Sequence, residues 1–293
     1  MPKSPVANPQ PLAIDLSNFH PHTSPVQHPH IVGVLNVTPD SYVEKGKYVG
    51  VEAALKRAEE MRADGADWIE VGGESTGPGS KDVTGEEEIH RTIPVIKEIK
   101  RAMPKINISI DTYKAPVAAA ALREGAAMVN DVTAGRADPE LFGVVAASQA
   151  SIVLMYAKDP TPRTTIEPRM YDDVIVTIRE FLLRRKQAAI DAGIPASRII
   201  LDPGLGHFVS SLSEYSFEIL RRLPELVDLG CPLFVSPSRK SFLAGEGNLP
   251  VAARLPATIA ASVLAAEHGA SFIRTHDVRE VKRALNVLEQ IDY

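Results

Sequence analysis

"AGIPASRIILDPGLGH", residues 192–207, holds in one short stretch the pattern that decides the fold. A helical pattern runs into Gly193, a few linker residues follow, and Ile199-Ile200-Leu201 then reads as a buried strand. The run ends in a carboxylate, Asp202, followed by Pro203 and two spaced glycines, Gly204 and Gly206. A carboxylate at the inner end of an apolar strand is costly to bury unless something pairs with it. The stretch therefore raises two questions: what the strand belongs to, and what the acid is for.

The same punctuation recurs outward in both directions. "RADGADWIEV", "REGAAMVNDV" and "EHGASFIRTHD" each end a helix at or near glycine and then enter a strand. The spacing predicts strands at 31–35, 68–71, 106–110, 128–130, 152–155, 199–201, 233–235 and 272–274. Helical patterns over 51–63, 86–101, 115–124, 171–192, 253–267 and 279–289 lie between them. Strands alternating with helices imply parallel pairing, and this many units in one domain predict an α/β fold, a closed (β/α)8 TIM barrel. An open doubly wound sheet is the alternative, but the first βα turn reads "NVTPDS" and lacks the G-x-G-x-x-G of a dinucleotide fold. Residues 31–293 form the expected barrel domain, preceded by a short irregular extension, 1–30, rich in Pro and in His20, His22, His28 and His30.

Composition narrows the function. The formal charge is −5 over 293 residues, which argues against a nucleic-acid partner, since phosphate backbones demand clustered cations. No apolar stretch reaches membrane-span length and the first residues lack a signal-peptide core, so no membrane partner and a cytoplasmic location are expected. The lone cysteine, Cys231, excludes an internal disulfide, suits a reducing compartment and, directly before Pro232, reads as a packed thiol.

In a (β/α)8 barrel, chemistry sits at the C-terminal ends of the strands. Those ends read Asn36, Gly72 to Thr76, Asp111, Asn130-Asp131, Met155-Tyr156, Asp202, Ser238-Arg239-Lys240 and Arg274 to Asp277. Any one has an ordinary structural explanation: Asp111 or Asp131 could cap a helix, and Arg274 could form a surface ion pair. Convergence of so many polar groups on one face is harder to explain that way. Asp111, Asn130 and Asp202 suit a flat ring with several N–H donors, such as a pterin or a guanine-like heterocycle. Arg239, Lys240, Arg274 and His276 suit phosphate oxygens or a ring carbonyl, and Asn36 offers a neutral oxygen to Mg2+. The residues thus describe a ligand with a polar aromatic head and an anionic, phosphorylated tail.

The stretches "GVLNVTPDSY", "IEVGGESTGPG", "ISIDTYK", "MVNDVTAG", "LDPGLG", "SPSRKSF" and "IRTHDV", in this order, resemble the dihydropteroate synthase family from about residue 31 to the end. The resemblance implies a transferase that condenses 7,8-dihydropterin-6-ylmethyl diphosphate with 4-aminobenzoate, giving 7,8-dihydropteroate and pyrophosphate in folate biosynthesis. It implies Mg2+ as cofactor and a homodimer with the last helices in contact. Matched by motif, Asp111, Asn130, Asp202 and Lys240 would hold the pterin, with Met155 beneath the ring and His207 beside it. Asn36, Thr76, Arg274 and His276 would hold the diphosphate, with Asn36 toward the metal. Thr76, Ser238, Tyr42 and Pro78 would shape the aminobenzoate pocket. Asp111, Asp202, Lys240 and the loop residue Asp40 would carry catalysis, and the two glycines after Asp202 would let the flat ring approach the backbone.

Several residues depart from the family pattern. Gly77 stands where an arginine is usual, Tyr156 where a histidine is, and His207-Phe208-Val209 where F-G-K is common. The "DPGLGHF" and "RTHD" variants are similar to sulfonamide-insensitive forms, so reduced sulfonamide sensitivity is expected beside the simpler reading of drift. Two other functions stay open on the sequence: a pterin-binding methyltransferase, and a non-catalytic pterin-binding paralogue. The S-R-K and R-x-H strand ends speak against the first, and Asn36, Thr76, Lys240 and His276 against the second.

Overall fold

Strands that are apolar on both faces need cover on both faces, and the fold supplies it with a closed sheet inside a ring of helices. The structure is a computed structural model that describes residues 28–38, 43–44, 47–48 and 50–291. Asp40, Tyr42 and residues 1–27 of the extension lie outside the described residues. The barrel strands are β1 (His30–Asn36), β2 (Trp68–Gly72), β3 (Asn107–Asp111), β4 (Met128–Asp131), β5 (Ser151–Met155), β6 (Ile199–Asp202), β7 (Phe234–Val235) and β8 (Phe272–Thr275). All pair in parallel with their sequence neighbours, β1 pairs with both β2 and β8, and β7 pairs with β8. Between β6 and β7 the ring closes through the Leu201–Leu233 bridge, with Leu201 N–H donating to Pro232 O at 3.0 Å.

The helices longer than four residues are α1 (Val51–Ala63), α2 (Gly85–Ala102), α3 (Ala115–Arg123), α4 (Leu141–Ala146), α5 (Val174–Asp191), α6 (Ser213–Arg221), α7 (Leu255–Glu267) and α8 (Val278–Ile291). Caps visible in the sequence place two starts. Thr84 Oγ1 accepts the Glu87 N–H before α2, and Asp173 Oδ1 accepts those of Ile175 and Val176 before α5. The sequence pattern did not predict α4 and α6. The first is a continuous apolar hexapeptide, "LFGVVA", without helical period, and the second is only nine residues long.

Period two sorts the strand side chains. Outward-facing Ile31, Leu35, Ile69, Val71, Ile108, Ile110, Ile152, Leu154, Ile199, Leu201 and Ile273 join the helices in the main core. Burial of such a side chain contributes about 1.5–3 kcal/mol, so this shell dominates the stability. The inward Val32, Trp68, Met128, Val153, Ile200, Phe234 and Phe272 form a separate apolar plug at the barrel floor. Trp68 meets Phe272 edge-on at 6.4 Å and Phe234 stacks on Phe272 at 5.9 Å. Among the described residues, no helix is long and apolar enough to cross a membrane. Cys231 is buried, which pushes its thiol pKa up, as expected for a packed group.

Candidate active site

Two residues along four of the strands, the inward positions turn from apolar to polar. Trp68 is followed by Glu70, Met128 by Asn130, Ile200 by Asp202, and Phe272 by Arg274. The polar layer is organised around Glu70, which is fully buried. Its Oε2 accepts from Asn130 Nδ2 at 3.1 Å and Ser109 Oγ at 3.3 Å, and its Oε1 takes Arg274 Nε. Arg274 then reaches Asp111, with Nη2 2.9 Å from Oδ2. One acid thus ties β2 to β3, β4 and β8 across the interior.

The charges in this layer shift one another. Burial pushes Asp111 up to about 7, with the charge of Glu70 adding to it and Arg274 opposing. Burial also raises Asp202 to about 6, against the pull of Lys240 and the Gly204 N–H, which donates to Asp202 Oδ1 at 2.7 Å. The Lys240 ammonium is lowered by burial to about 8 although Asp202 favours its charge, and it lies 5.2 Å from the Phe208 ring centre. Burial disfavours the Arg274 charge too, but Glu70 and Asp111 overcome that and hold the guanidinium above its ordinary value.

Asn130 shows what the layer lacks. With Nδ2 committed to Glu70, its Oδ1 is buried and has no hydrogen-bond partner among the described residues. Native proteins rarely leave such an acceptor unmet. Nearby, Asn36 Oδ1 and Asp111 flank Gly72, where a Cβ would come within 3.3 Å of the Asn36 oxygen. His276 Nδ1 lies 2.9 Å from Ser238 Oγ, which also accepts the His276 backbone N–H at 3.2 Å. Ser238 thus holds the His276 ring and its backbone together. Burial, with Arg274 adding, lowers the His276 pKa to about 4, so the ring is neutral at ordinary pH.

Comparison with known proteins decides what this geometry belongs to. Residues 32–276 match the family model described as pterin binding enzyme. The dihydropteroate synthase of Streptococcus pyogenes serotype M3 is 42% identical over 263 residues, 89% of this chain and 95% of the relative. The solved Xanthomonas albilineans dihydropteroate synthase with 4-aminobenzoic acid superposes with a TM-score of 0.84 at 36% identity, covering 91% of this chain and 94% of that one. A structure of the Xanthomonas albilineans enzyme in complex with 7,8-dihydropteroate gives 0.77 at 34% identity over the same shares. The chain belongs to the dihydropteroate synthase family. Its activity is accordingly dihydropteroate synthesis, a transferase reaction, and the methyltransferase reading falls away.

Within this dihydropteroate synthase the barrel mouth gathers Asn36, Asp111, Asn130, Met155, Asp202, Ser238, Lys240, Arg274 and His276 from strand ends around the ring. Several side chains are engaged in ways their types alone did not reveal. Arg239 is held by Asp277 through Nε–Oδ2 at 2.8 Å and Nη2–Oδ1 at 2.5 Å, and so is not the open phosphate donor that the sequence predicts. Asp131 accepts the N–H groups of Thr133 and Gly135, which makes it a loop brace. Tyr156 points away from the mouth, edge-on to Phe181 of α5 at 5.2 Å and 3.0 Å from the Tyr171 hydroxyl. Its difference from the usual histidine therefore falls on packing. Gly204, with φ of +68°, approaches the Tyr156 carbonyl so closely that a Cβ would overlap it. A backbone contact by itself thus requires glycine at this position.

The second loop is pinned from outside. The Thr164 N–H donates to Thr76 O at 3.2 Å and its hydroxyl to His207 O at 2.7 Å, so the loop after β5 joins those after β2 and β6. Arg163 bridges Glu74 and Asp82, which brings a neutralised cation beside the loop that carries Gly77. Pro78 is exposed and Thr76 half-buried. His207 is half-buried, and its buried Nδ1 has no partner among the described residues. Burial and then Lys158 keep its pKa low. Glu70, Ser109 and Thr164 are absent from the residues that the sequence singles out. For Glu70 a signal was present: one acid inside the apolar run "WIEV", at an inward position.

Proposed function

We propose that the cluster at the barrel mouth is where this enzyme holds 7,8-dihydropterin-6-ylmethyl diphosphate and condenses it with 4-aminobenzoate. The carrying observation is Asn130 Oδ1, a buried acceptor without a partner among the described residues, on a residue paired in register with Asp111. A pterin edge supplies the N–H donors that Asn130, Asp111 and Asp202 accept, each charge-assisted bond contributing about 1.5–3 kcal/mol. Met155, beside Asp202 in register, lies beneath the ring, and Lys240 and His207 border it. The Xanthomonas relative, solved with 4-aminobenzoic acid and with 7,8-dihydropteroate, supports the same substrates here.

The diphosphate then lies toward Asn36, Thr76, Arg274 and His276, whose ring carries no charge. Arg274 is already shared by Glu70 and Asp111, so it contributes a held guanidinium instead of a free one. Among the described residues there is no group of three or more His, Cys, Asp or Glu placed to hold a metal ion. A neutral amide oxygen fits Mg2+ that takes its other ligands from substrate oxygens and water. Asn36 would hold it, and when bound it neutralises charge on the diphosphate. Thr76, Ser238, Tyr42 and Pro78 border the aminobenzoate. Asp40, in the first loop, helps order the complex.

Catalysis follows from fixed charge. The C–O bond to the diphosphate breaks with its electron pair leaving on pyrophosphate. Asp111 and Asp202 stabilise the positive charge left over methylene and ring, while His276 and Arg274 stabilise the leaving group. The amine lone pair forms the new C–N bond and its proton passes to solvent, with no covalent enzyme intermediate. Lys240 orients the ring.

Purified protein given both substrates and Mg2+ should release pyrophosphate. Asp111→Asn and Asp202→Asn should each lower kcat/KM for the pterin substrate roughly ten- to hundredfold. Near-wild-type values in both would remove the pocket assignment. Gly77 and His207 also support reduced sulfonamide sensitivity. A sulfonamide should compete with an inhibition constant well above the KM for aminobenzoate, and equal values would refute it. We further read residues 31–293 as one domain with 1–30 as an extension, in the cytoplasm. The exposed Val287 and Ile291 on α8 support a homodimer through the last helices, which light scattering would test against Val287→Arg.

A further inference from the structure

Glu70 touches neither substrate in the proposed function, yet its side chain is fully buried in the polar layer. Burying a carboxylate is costly, and an apolar side chain of similar volume often gives an equally stable protein. Stability alone is therefore a poor reason for an acid at this position. Its partners point to a different one.

A carboxylate can only accept, so Asn130 must turn its Nδ2 toward Glu70, at 3.1 Å, and its Oδ1 the other way. That second atom is the buried acceptor without a partner among the described residues. The same carboxylate takes Arg274 Nε, whose Nη2 lies 2.9 Å from Asp111. Ser109 Oγ completes its hydrogen bonds at 3.3 Å and prevents the carboxylate from turning freely. We propose that Glu70 is a positioning residue for pterin recognition, fixing the Asn130 amide with its oxygen toward the ligand and holding Arg274 against Asp111. This deepens the proposed function and rests on it.

The assignment makes an unusual demand of a pair of variants. In Glu70→Gln the new amide keeps its oxygen toward Arg274, which needs an acceptor, and presents its nitrogen to Asn130. Asn130 then turns over, and its own nitrogen faces the donors of the pterin edge. Adding Asn130→Asp restores an acceptor on both sides. Asn130→Asp alone, in contrast, sets two carboxylates against each other beside Glu70.

The measurements are pterin affinity by fluorescence titration, the separate KM values of the two substrates, and the melting temperature, all on the full chain. Glu70→Gln should weaken pterin binding and raise the pterin KM roughly tenfold or more, with the aminobenzoate KM within about twofold. Asn130→Asp should be as damaging alone, and the double variant should bind pterin better than either single one. Glu70→Asp keeps the acceptor and should lie closer to wild type than Glu70→Gln. If Glu70→Gln is unfolded, the comparison of Glu70→Asp and Asn130→Asp with the double variant decides. Wild-type pterin affinity in Glu70→Gln, or a double variant no better than Asn130→Asp alone, overturns the proposal. Wild-type protein that neither binds pterin nor releases pyrophosphate overturns the functional reading instead.

Discussion

Asp111, Asp202 and Lys240 approach neutral pH from opposite sides, the acids at about 7 and about 6 and the amine at about 8. Burial is the main cause in each, because charge is costly in the barrel mouth before a ligand arrives. The two carboxyls accept N–H donors most strongly when ionised, so acid weakens binding. Lys240 donates as a cation only when protonated, so base weakens it as well. Pterin affinity should therefore peak between about pH 7 and 8, decline as pH falls through 7 and 6, and decline again above 8. A flat titration from pH 5.5 to 9 would contradict this. The linkage to folding has a definite sign. The folded acids hold protons between about pH 4 and 7 that the unfolded chain releases, so they oppose folding at neutral pH and stop doing so in acid.

Strands and helices differ in how much of themselves the sequence displays. β2 and β6 were legible because apolar runs preceded closely by glycine and followed by a polar end leave few alternatives. The floor and mouth of the barrel follow from the same period of two. Partnership is not encoded by residue type, so nothing local separates Asp111, which meets Arg274, from Asp131, which braces its own loop. The same limit hid Glu70, whose partners come from strands between 39 and 204 residues away in sequence. Turn chemistry was legible in identity more than in cause: Gly204 was recognised as necessary, and the Tyr156 carbonyl by itself requires it. Gly204→Ala combines a positive φ with that overlap and should destabilise by about 2 kcal/mol or more, seen as a lower melting temperature. An unchanged melting temperature would show that the turn relaxes freely.

At the scale of the molecule the ring is not uniform. Neighbouring strands around most of the barrel share several paired residues, whereas β6 and β7 meet at the Leu201–Leu233 bridge and the Leu201 N–H. Proteins open locally where few backbone bonds must break. In hydrogen-exchange experiments Leu201 and its neighbours across this seam should thus lose protection before β2 and β3 do. Asp202 stands at the end of one bank of the seam and Lys240 on the loop leaving the other. A pterin held by both would act as a staple, and the exchange rates at the seam should slow on binding more than anywhere else in the sheet. Occupancy of the pocket would then be readable in the breathing of the barrel itself, as a tightening of its loosest joint.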